Sequence, residues 1–294
     1  MTSDFNFSTV PANQTNLPDY HNHAEYKTFE NMINENSFFV VDGKRVVGML
    51  ELVEGFNFYF DDWSRPILKI TKKMWSRTDA EAFLSHCIAF GKQHHVQGVQ
   101  VDFHRDQRFI IPHLSKIGFI ERDDSTYMRL TLTDEHLRAN LPPRFNLVKQ
   151  PRLNRTSISN YLQTIIPYYK GTIDPRIRVF EHWDRFSQDL LWELFGNHQL
   201  ELLIASIGNE SVGVLEYALH DQNSAELTGI AVNESWRGQG YGKILLLHLL
   251  HLLRRQEVTH VTLRVYTNST PALELYQKVG FEKMAQVITY CLPI

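Results

Sequence analysis

The chain has 294 residues, of which 43% are hydrophobic and 21% charged, with a formal net charge of −3. This composition is typical of a globular protein of about two domains, and without a block of like charge it argues against nucleic acid or an anionic membrane as a partner. Cys87 and Cys291 match no metal-binding or redox spacing, so we expect no disulfide, no metal site and a cytoplasmic location. No apolar run is long enough to span a bilayer.

The upstream half begins with residues 1–20, which carry no signal-peptide pattern and which we expect to form a loose arm. Its strands and helices are predicted from its similarity to the downstream half. The stretch Arg45–Leu52 is a predicted strand, and Val99–Phe103 is another. A helix and a further strand are predicted within His113–Leu130. The next stretch, Leu141–Phe145 (LPPRF), is the predicted boundary between two domains, because two consecutive prolines cannot continue a helix.

The downstream half predicts a mixed sheet with helices packed on it, an α+β arrangement within the α/β class. After the boundary, which divides the chain into residues 1–140 and 141–294, a strand is followed by two helices. A hairpin comes next, with its turn at residues 208–210, and then strand, helix, strand, helix and strand in that order. Thr270 and Pro271 mark the start of the second of these helices, with Thr270 as the expected N-cap.

The two halves resemble each other at an offset of 162 residues, which aligns Val99–Phe103 with Val261–Val265 without a gap. After a small change in offset, Arg45–Leu52 (RVVGMLEL) aligns with Glu210–Tyr217 (ESVGVLEY). Two matches in the same order indicate two copies of one domain.

Three glycines, Gly238, Gly240 and Gly242, precede an apolar helix. Glycine costs about 1 kcal/mol in a helix relative to alanine, so this cluster indicates a backbone requirement. A P-loop is excluded because its spacing differs and Ile244 cannot ligate magnesium. A dinucleotide fingerprint is excluded because the pattern is G-x-G-x-G and no acidic residue follows about 20 residues later. A helix N-terminus remains, whose unpaired N–H groups can bind a pyrophosphate.

The stretch R-G-Q-G-Y-G, between a strand and a long helix, resembles the coenzyme A-binding signature of the GNAT superfamily of N-acetyltransferases. The resemblance implies two tandem GNAT domains and acetyl-coenzyme A as cosubstrate, with no metal. It places the pyrophosphate at Gly238–Lys243 and the acyl-pantetheine between the strands on either side of the helix. The cofactor-binding residues that it implies are Ile230, Ala231, Val232, Arg237, Gly238, Gln239, Gly240, Tyr241, Gly242, Lys243 and Asn268.

Two residues are predicted to be catalytic. The resemblance assigns Tyr276 as the acid that protonates the departing thiolate, and we choose Glu226 as the base for the amine, with Glu216 as its alternative. The two-residue period of a strand would place Glu226 on the same face as Ile230 and Val232. The expected activity is acetyl transfer to a primary amine of a small molecule or peptide by direct attack, in a monomer or homodimer. The alternatives are a non-catalytic acyl-coenzyme A sensor, an acyltransferase for a different acyl group, and an aminoacyl-tRNA-dependent transferase.

The upstream copy lacks the glycine signature. At the 162-residue offset, Trp75, Thr78 and Ala80 stand at the signature positions and Leu114 stands at that of the predicted acid. Thr78–Glu81 (TDAE) instead predicts a capping box that occupies the free N–H groups of its helix. We therefore expect the upstream copy to bind no coenzyme A, a layout similar to that of the mycothiol synthases within the superfamily.

Overall fold

The computed structural model describes residues 7–12, 33–43, 45–54, 59–60, 65–72, 75, 79–135, 145–151, 153–172, 183, 187–195 and 200–294. The strands in these ranges are β1 Phe7–Pro11, β2 Ser37–Asp42, β3 Arg45–Val53, β4 Ile67–Thr71, β5 Gly98–His104, β6 Ile120–Thr131, β7 Phe145–Lys149, β8 Glu201–Ile207, β9 Glu210–Leu219, β10 Ser224–Val232, β11 His260–Tyr266 and β12 Glu282–Pro293. The helices are α1 Ala80–Gln93, α2 Ile111–Ile117, α3 Ile158–Tyr169, α4 Gln188–Phe195, α5 Tyr241–Arg255 and α6 Thr270–Val279.

The chain divides into two compact units. Unit 1 comprises Met1–Asp124 and Gln286–Ile294, and unit 2 comprises Ser125–Ala285. The strand order is β1-β2-β3-β4-β5-β12 in unit 1 and β6-β11-β10-β9-β8-β7 in unit 2. Each unit has its own apolar core. In unit 2 the core lies between the sheet and α5, whose buried leucines each stabilise the fold by about 1.5–3 kcal/mol.

The two sequence copies exchange their last strands. β6 pairs antiparallel with β11 in unit 2, over Ser125–Thr131 and His260–Tyr266. β12 pairs antiparallel with β5 in unit 1, over Val287–Pro293 and Gly98–His104. The predicted boundary at residues 140 and 141 stays a prediction about the two repeats. The compact units are divided differently, because each copy contributes its C-terminal strand to the other unit.

The element order predicted for the downstream half matches the order from β7 to β12, and the mixed-sheet fold class is confirmed. The expected loose arm is wrong in part, because Phe7–Pro11 pairs with Phe38–Asp42 of β2. The N-cap of α6 is Ser269 rather than Thr270, and it makes no side-chain cap bond.

Candidate functional site

The loop between β10 and α5 presents a row of uncovered main-chain N–H groups. Gly238 and Gly240 have φ angles of +76° and +87°, a left-handed conformation that favours glycine. A Cβ atom at either position would meet no heavy atom within 4 Å, so the adjacent space is open. Within the described residues, the N–H groups of residues 238–242 have no hydrogen-bond acceptor, and Gly240 supplies no side-chain cap to α5. The loop therefore offers the free donors and positive dipole end that a diphosphate requires.

Arg237 holds this loop in place. Its Nε–H group donates to the main-chain oxygen of Val232 at 2.9 Å, and Nη2 donates to the oxygens of Tyr168 and Lys170 at 3.0 and 2.8 Å. These bonds tie the loop to the end of β10 and to the C-terminus of α3. Because three carbonyl oxygens occupy the guanidinium, it determines the shape of the loop. Lys243 is an exposed cation at the end of Gly238–Lys243, the predicted pyrophosphate-binding stretch, which we call the cradle.

Other predicted cradle side chains also pack within the loop. Gln239 Nε2 donates to the main-chain oxygen of Ser235 at 3.1 Å. The rings of Trp236 and Tyr241 meet edge to face, with centroids 5.1 Å apart. These contacts leave the main chain of the loop as its available binding surface.

The helix α6 lies close to the start of α5. A Cβ atom at Gly242 would lie 3.4 Å from Leu275 Cδ2, which is an ordinary van der Waals contact with α6. Asn268, the predicted ligand that precedes α6, is exposed in the turn after β11.

A gap opens between β10 and β11 beside the glycine loop. The two strands pair in parallel over Ser224–Leu227 and His260–Leu263, where their pairing ends. β10 continues to Val232 in pairing with β9, and β11 continues to Tyr266 in pairing with β6. The strands therefore diverge, and the resemblance places the acyl-pantetheine in this gap.

The divergence begins at a bulge in β10. The register against β9 shifts between Leu227, which is opposite Tyr217, and Gly229, which is opposite Glu216, so Thr228 is the extra residue. The hydroxyl oxygen of Thr228 is buried and has no hydrogen-bond partner in the described part of the chain. An orphaned hydroxyl at this point fits a polar ligand in the gap.

Main-chain groups of Ile230 and Val232 face the gap. The N–H group of Asn233 donates to Val212 O at 2.8 Å, towards β9. Because these groups alternate along an antiparallel ladder, Ala231 also faces β9, whereas Ile230 and Val232 face away from it. Two of the three predicted strand residues thus direct main-chain groups into the gap.

The bulge also changes the face on which the side chains of β10 lie, so the predicted alignment of Glu226 with Ile230 and Val232 is wrong. Residues opposite each other in a ladder share a face. Glu226 is opposite Ala218, whereas Ile230 is opposite Leu215, and these two β9 residues point to different faces. Ile230 and Val232 pack with the α5 core. Glu226 therefore lies on the other face of the sheet.

On that second face, Glu216 is buried under two tyrosines of α3. Its carboxylate accepts hydrogen bonds from the hydroxyl groups of Tyr161 and Tyr169, and the residue is 1% exposed. A Cβ atom at Gly229 would overlap the Tyr169 hydroxyl and the Glu216 carboxylate, so glycine is required at the bulge. This enclosure gives Glu216 a role in holding α3 against the bulge and favours Glu226 as the base.

The two predicted catalytic side chains differ in accessibility. The Glu226 side chain is 38% exposed at the closed end of the gap, and its Oε2 lies 3.0 Å from His220 Nε2. Tyr276 is 6% exposed, and its ring meets that of Phe281 edge to face at 5.7 Å. Glu226 is therefore accessible from solvent, whereas Tyr276 is enclosed within unit 2.

Unit 1 shows no such gap in the residues that the structure describes. β4 pairs in parallel with β5 up to Ile70 opposite Val101, one residue before β4 ends. Lys72 follows, with Nζ 3.2 Å from Asp79 Oδ2 and 4.0 Å from the ring centroid of Phe83. Burial lowers the pKa of Lys72, and Asp79 opposes this effect. A buried ammonium group thus lies at the start of α1, where unit 2 has its glycine loop.

The predicted capping box of α1 is wrong. Asp79 is the N-cap and makes no side-chain cap bond. Glu81 does not reach back to the helix start, because its carboxylate bonds His113 Nδ1 at 3.0 Å and Lys116 Nζ at 2.7 Å in α2. Thr78 lies outside the described residues.

The part of the chain that the structure describes also contains helices, potential metal ligands and two cysteines. No described helix is long and apolar enough to cross a membrane. No cluster of three or more His, Cys, Asp or Glu side chains in the described ranges could hold a metal ion. Cys87 and Cys291 are buried, and burial raises the pKa of both thiols, that of Cys291 to about 12, which disfavours the reactive thiolate.

Comparison with known proteins matches the downstream part of the chain to a family. Residues 167–281, which include the gap, the glycine loop and α6, match the model of the Acetyltransferase (GNAT) family. A tandem GNAT protein from the clavulanic acid biosynthesis pathway is similar over 87% of this chain and 82% of its own, with a TM-score of 0.55 and 17% identity. At this identity the likeness shows the fold alone. The chain therefore shares the fold of this tandem GNAT protein, and residues 167–281 match the family model.

Among curated proteins, the chain is similar to two mycothiol acetyltransferases. The protein of Thermobifida fusca is 35% identical over 65 residues, which are 22% of this chain and 20% of that protein. The protein of Thermomonospora curvata is 32% identical over 92 residues, which are 31% of each chain. The matched region thus spans less than a third of either relative. The predicted tandem GNAT arrangement is confirmed.

Sequence reasoning missed the bulge and the carboxylate beneath α3. The alternation of Ser224–Val232 looks regular, so an inserted residue leaves no mark on it. Gly229 is the available signal, because a glycine inside a strand often marks a bulge or a close approach of another group.

Proposed function

We propose that the protein transfers an acetyl group from acetyl-coenzyme A to a primary amine of a small molecule or a peptide, by direct attack of the amine on the thioester. The observation that carries this proposal is the free main chain of residues 238–242 beside the gap between β10 and β11. The loop suits the diphosphate of the cosubstrate, and the gap suits its extended pantetheine arm. We further propose one coenzyme A site per chain, in unit 2, and a cytoplasmic monomer or homodimer.

Three groups of the chain serve the chemistry. An alkylamine, with a pKa near 10.4, must lose a proton before it attacks, and Glu226 accepts it directly or through water. The N–H group of Val232 donates to the oxyanion that develops on the thioester carbonyl. Tyr276 donates a proton to the departing thiolate.

An acyl-coenzyme A sensor would need the same cradle but no base. The accessible carboxylate of Glu226 favours an enzyme over a sensor. An acyltransferase that transfers a different acyl group would use the same three residues. Only the depth of the gap between β10 and β11 would distinguish it from an acetyltransferase.

The test is thiol release from acetyl-coenzyme A across a panel of primary amines, with the mass of each product measured. We expect a product heavier by one acetyl group, and we expect Glu226→Gln to lower kcat by about 10²- to 10⁴-fold with little change in calorimetric affinity for coenzyme A. Glu210→Gln, an exposed carboxylate at the start of β9, is the matched control. Tight coenzyme A binding without thiol release from any amine would favour the sensor.

A further inference from the structure

Unit 2 contains a cleft of about 510 Å³ that no part of the proposed coenzyme A site uses. Its lining includes Tyr127 and Arg129 of β6, Thr262 of β11 and Met284 of β12. We propose that this cleft binds the acceptor, and that the acceptor is an amino carboxylate, such as an α-amino acid or a short peptide with a free carboxylate. This inference rests on the proposed acetyl transfer and names the substrate class of the same site.

Strand register places the cleft beside the predicted base. Thr262 is opposite Glu226 in the parallel pair of β10 and β11 and opposite Arg129 in the antiparallel pair of β11 and β6. The three residues therefore form a row across three strands on one face, with Thr262 in the middle. Since neighbouring strands lie about 4.8 Å apart, the Cα atoms of Glu226 and Arg129 are about 10 Å apart. A small zwitterion fits this interval, with its ammonium at Glu226 and its carboxylate at Arg129.

A second arginine lies on the same face nearer the gap. Arg264 is exposed and is opposite Tyr127, two residues beyond Thr262 along β11. Its Nε–H group donates to Ser125 Oγ at 3.0 Å, and its guanidinium lies 5.7 Å from the ring centroid of Tyr266. These contacts hold a cation just past the point where β10 and β11 diverge. A guanidinium binds a carboxylate through paired N–H donors, which an ammonium group cannot do.

The remaining lining matches the rest of an amino acid. Tyr127 and Met284, which are 40% and 62% exposed, contribute large apolar side chains to the lining. At the start of β10, Asp221 accepts a hydrogen bond from the Asn223 N–H group at 2.6 Å, and such bonds lower its pKa. The face thus carries both signs of charge beside apolar surface, which suits a zwitterion with an apolar side chain better than a simple amine.

The experiment compares leucine, leucinamide and isopentylamine, which share an amine and a side chain but differ in the carboxylate. We expect kcat/KM for leucine to exceed that for the other two by about 10-fold or more, since a hydrogen bond to a charged group contributes about that factor. Arg129→Gln should raise KM for leucine about 10- to 100-fold, leave kcat/KM for leucinamide unchanged, and be partly rescued by Arg129→Lys. Arg155→Gln, which changes an exposed arginine just before α3, is the matched control.

A binding measurement makes the inference independent of turnover. N-acetylleucine, with its carboxylate intact, should bind the coenzyme A complex of the unaltered protein at least 10-fold more tightly than that of Arg129→Gln, whose coenzyme A affinity should be normal. Equal kcat/KM for the three amines would overturn the acceptor class and leave acetyl transfer standing. If none of the amines is acetylated, the binding of N-acetylleucine decides alone: loss in Arg129→Gln supports the cleft, and equal or absent binding overturns it.

Discussion

Gly240 combines a φ angle of +87°, open space beside its Cα atom and the N-cap position of α5. In Gly240→Ala, the added methyl group would enter the space assigned to the diphosphate, and the left-handed backbone would be strained by about 1–2 kcal/mol. We expect affinity for coenzyme A to fall about 10-fold or more, measured by calorimetry. Gly208→Ala is the matched control, because its φ is +59°, its Cβ space is also open and it lies in the turn between β8 and β9. An equal loss of affinity in both variants would contradict the location of the cradle.

Tyr276 can be tested by removing one oxygen atom. Tyr276→Phe keeps the ring that packs against Phe281 but removes the hydroxyl group, so thiolate protonation should slow and kcat should fall about 10²-fold. The calorimetric affinity for coenzyme A and the melting temperature should change little. An unaltered kcat would remove Tyr276 from the mechanism and leave its role as a buried core residue.

At the scale of the element, α5 makes the stability of the protein dependent on pH. Burial, with a smaller effect of His251, lowers the pKa of His248 to about 4, and His248 Nε2 has no hydrogen-bond partner among the described residues. An unfolded histidine has a pKa near 6.5, so below that pH the unfolded state takes up a proton that the folded state excludes. Above about pH 6.5, His248 therefore does not lower the free energy of unfolding. As the pH falls towards 4, the free energy of unfolding decreases by roughly 2–3 kcal/mol.

Urea unfolding at pH 7.5 and pH 4.5 measures this loss. His248→Leu places an apolar side chain beside Phe145 and removes the titrating group, so we expect a smaller difference in the free energy of unfolding between the two pH values. His220→Gln, at an exposed position, should retain the full difference. The same pH dependence in His248→Leu as in the unaltered protein would assign the acid sensitivity to other groups.

The elements differ in how far their sequences predict them. Alternation along His260–Tyr266 and the glycines before α5 predict a strand and a helix start, because both signals are local. The bulge at Thr228 is not predictable in this way, since one extra residue reverses the faces of β10 without disturbing its composition. The sequence therefore predicts the helix start at Gly238–Gly242, but it does not predict the face of the sheet on which Glu226 lies.

At the scale of the whole molecule, the sequence repeat does not predict the exchange of β6 and β12. Both strands follow a helix that ends in glycine, at Gly118 and Gly280, and both carry alternating apolar residues. Local pattern therefore predicts two equivalent strands and gives no indication of which sheet each one completes. Only the pairing of each strand with its neighbour distinguishes exchange from two independent copies.

Strand exchange makes the repeat boundary a poor place to cut the chain. β6 and the residue that follows it supply Met128, Leu130 and Leu132 to the core of unit 2, and burial of each side chain contributes about 1.5–3 kcal/mol. Their total approaches the whole stability of a typical domain, about 5–15 kcal/mol. A fragment of residues 125–285 should therefore be soluble and bind one coenzyme A, whereas 141–294 should not fold cooperatively in urea or show calorimetric binding. If 141–294 folded and bound as tightly as 125–285, β12 would have taken the place of β6 beside β11, and the exchange would not be required for the site.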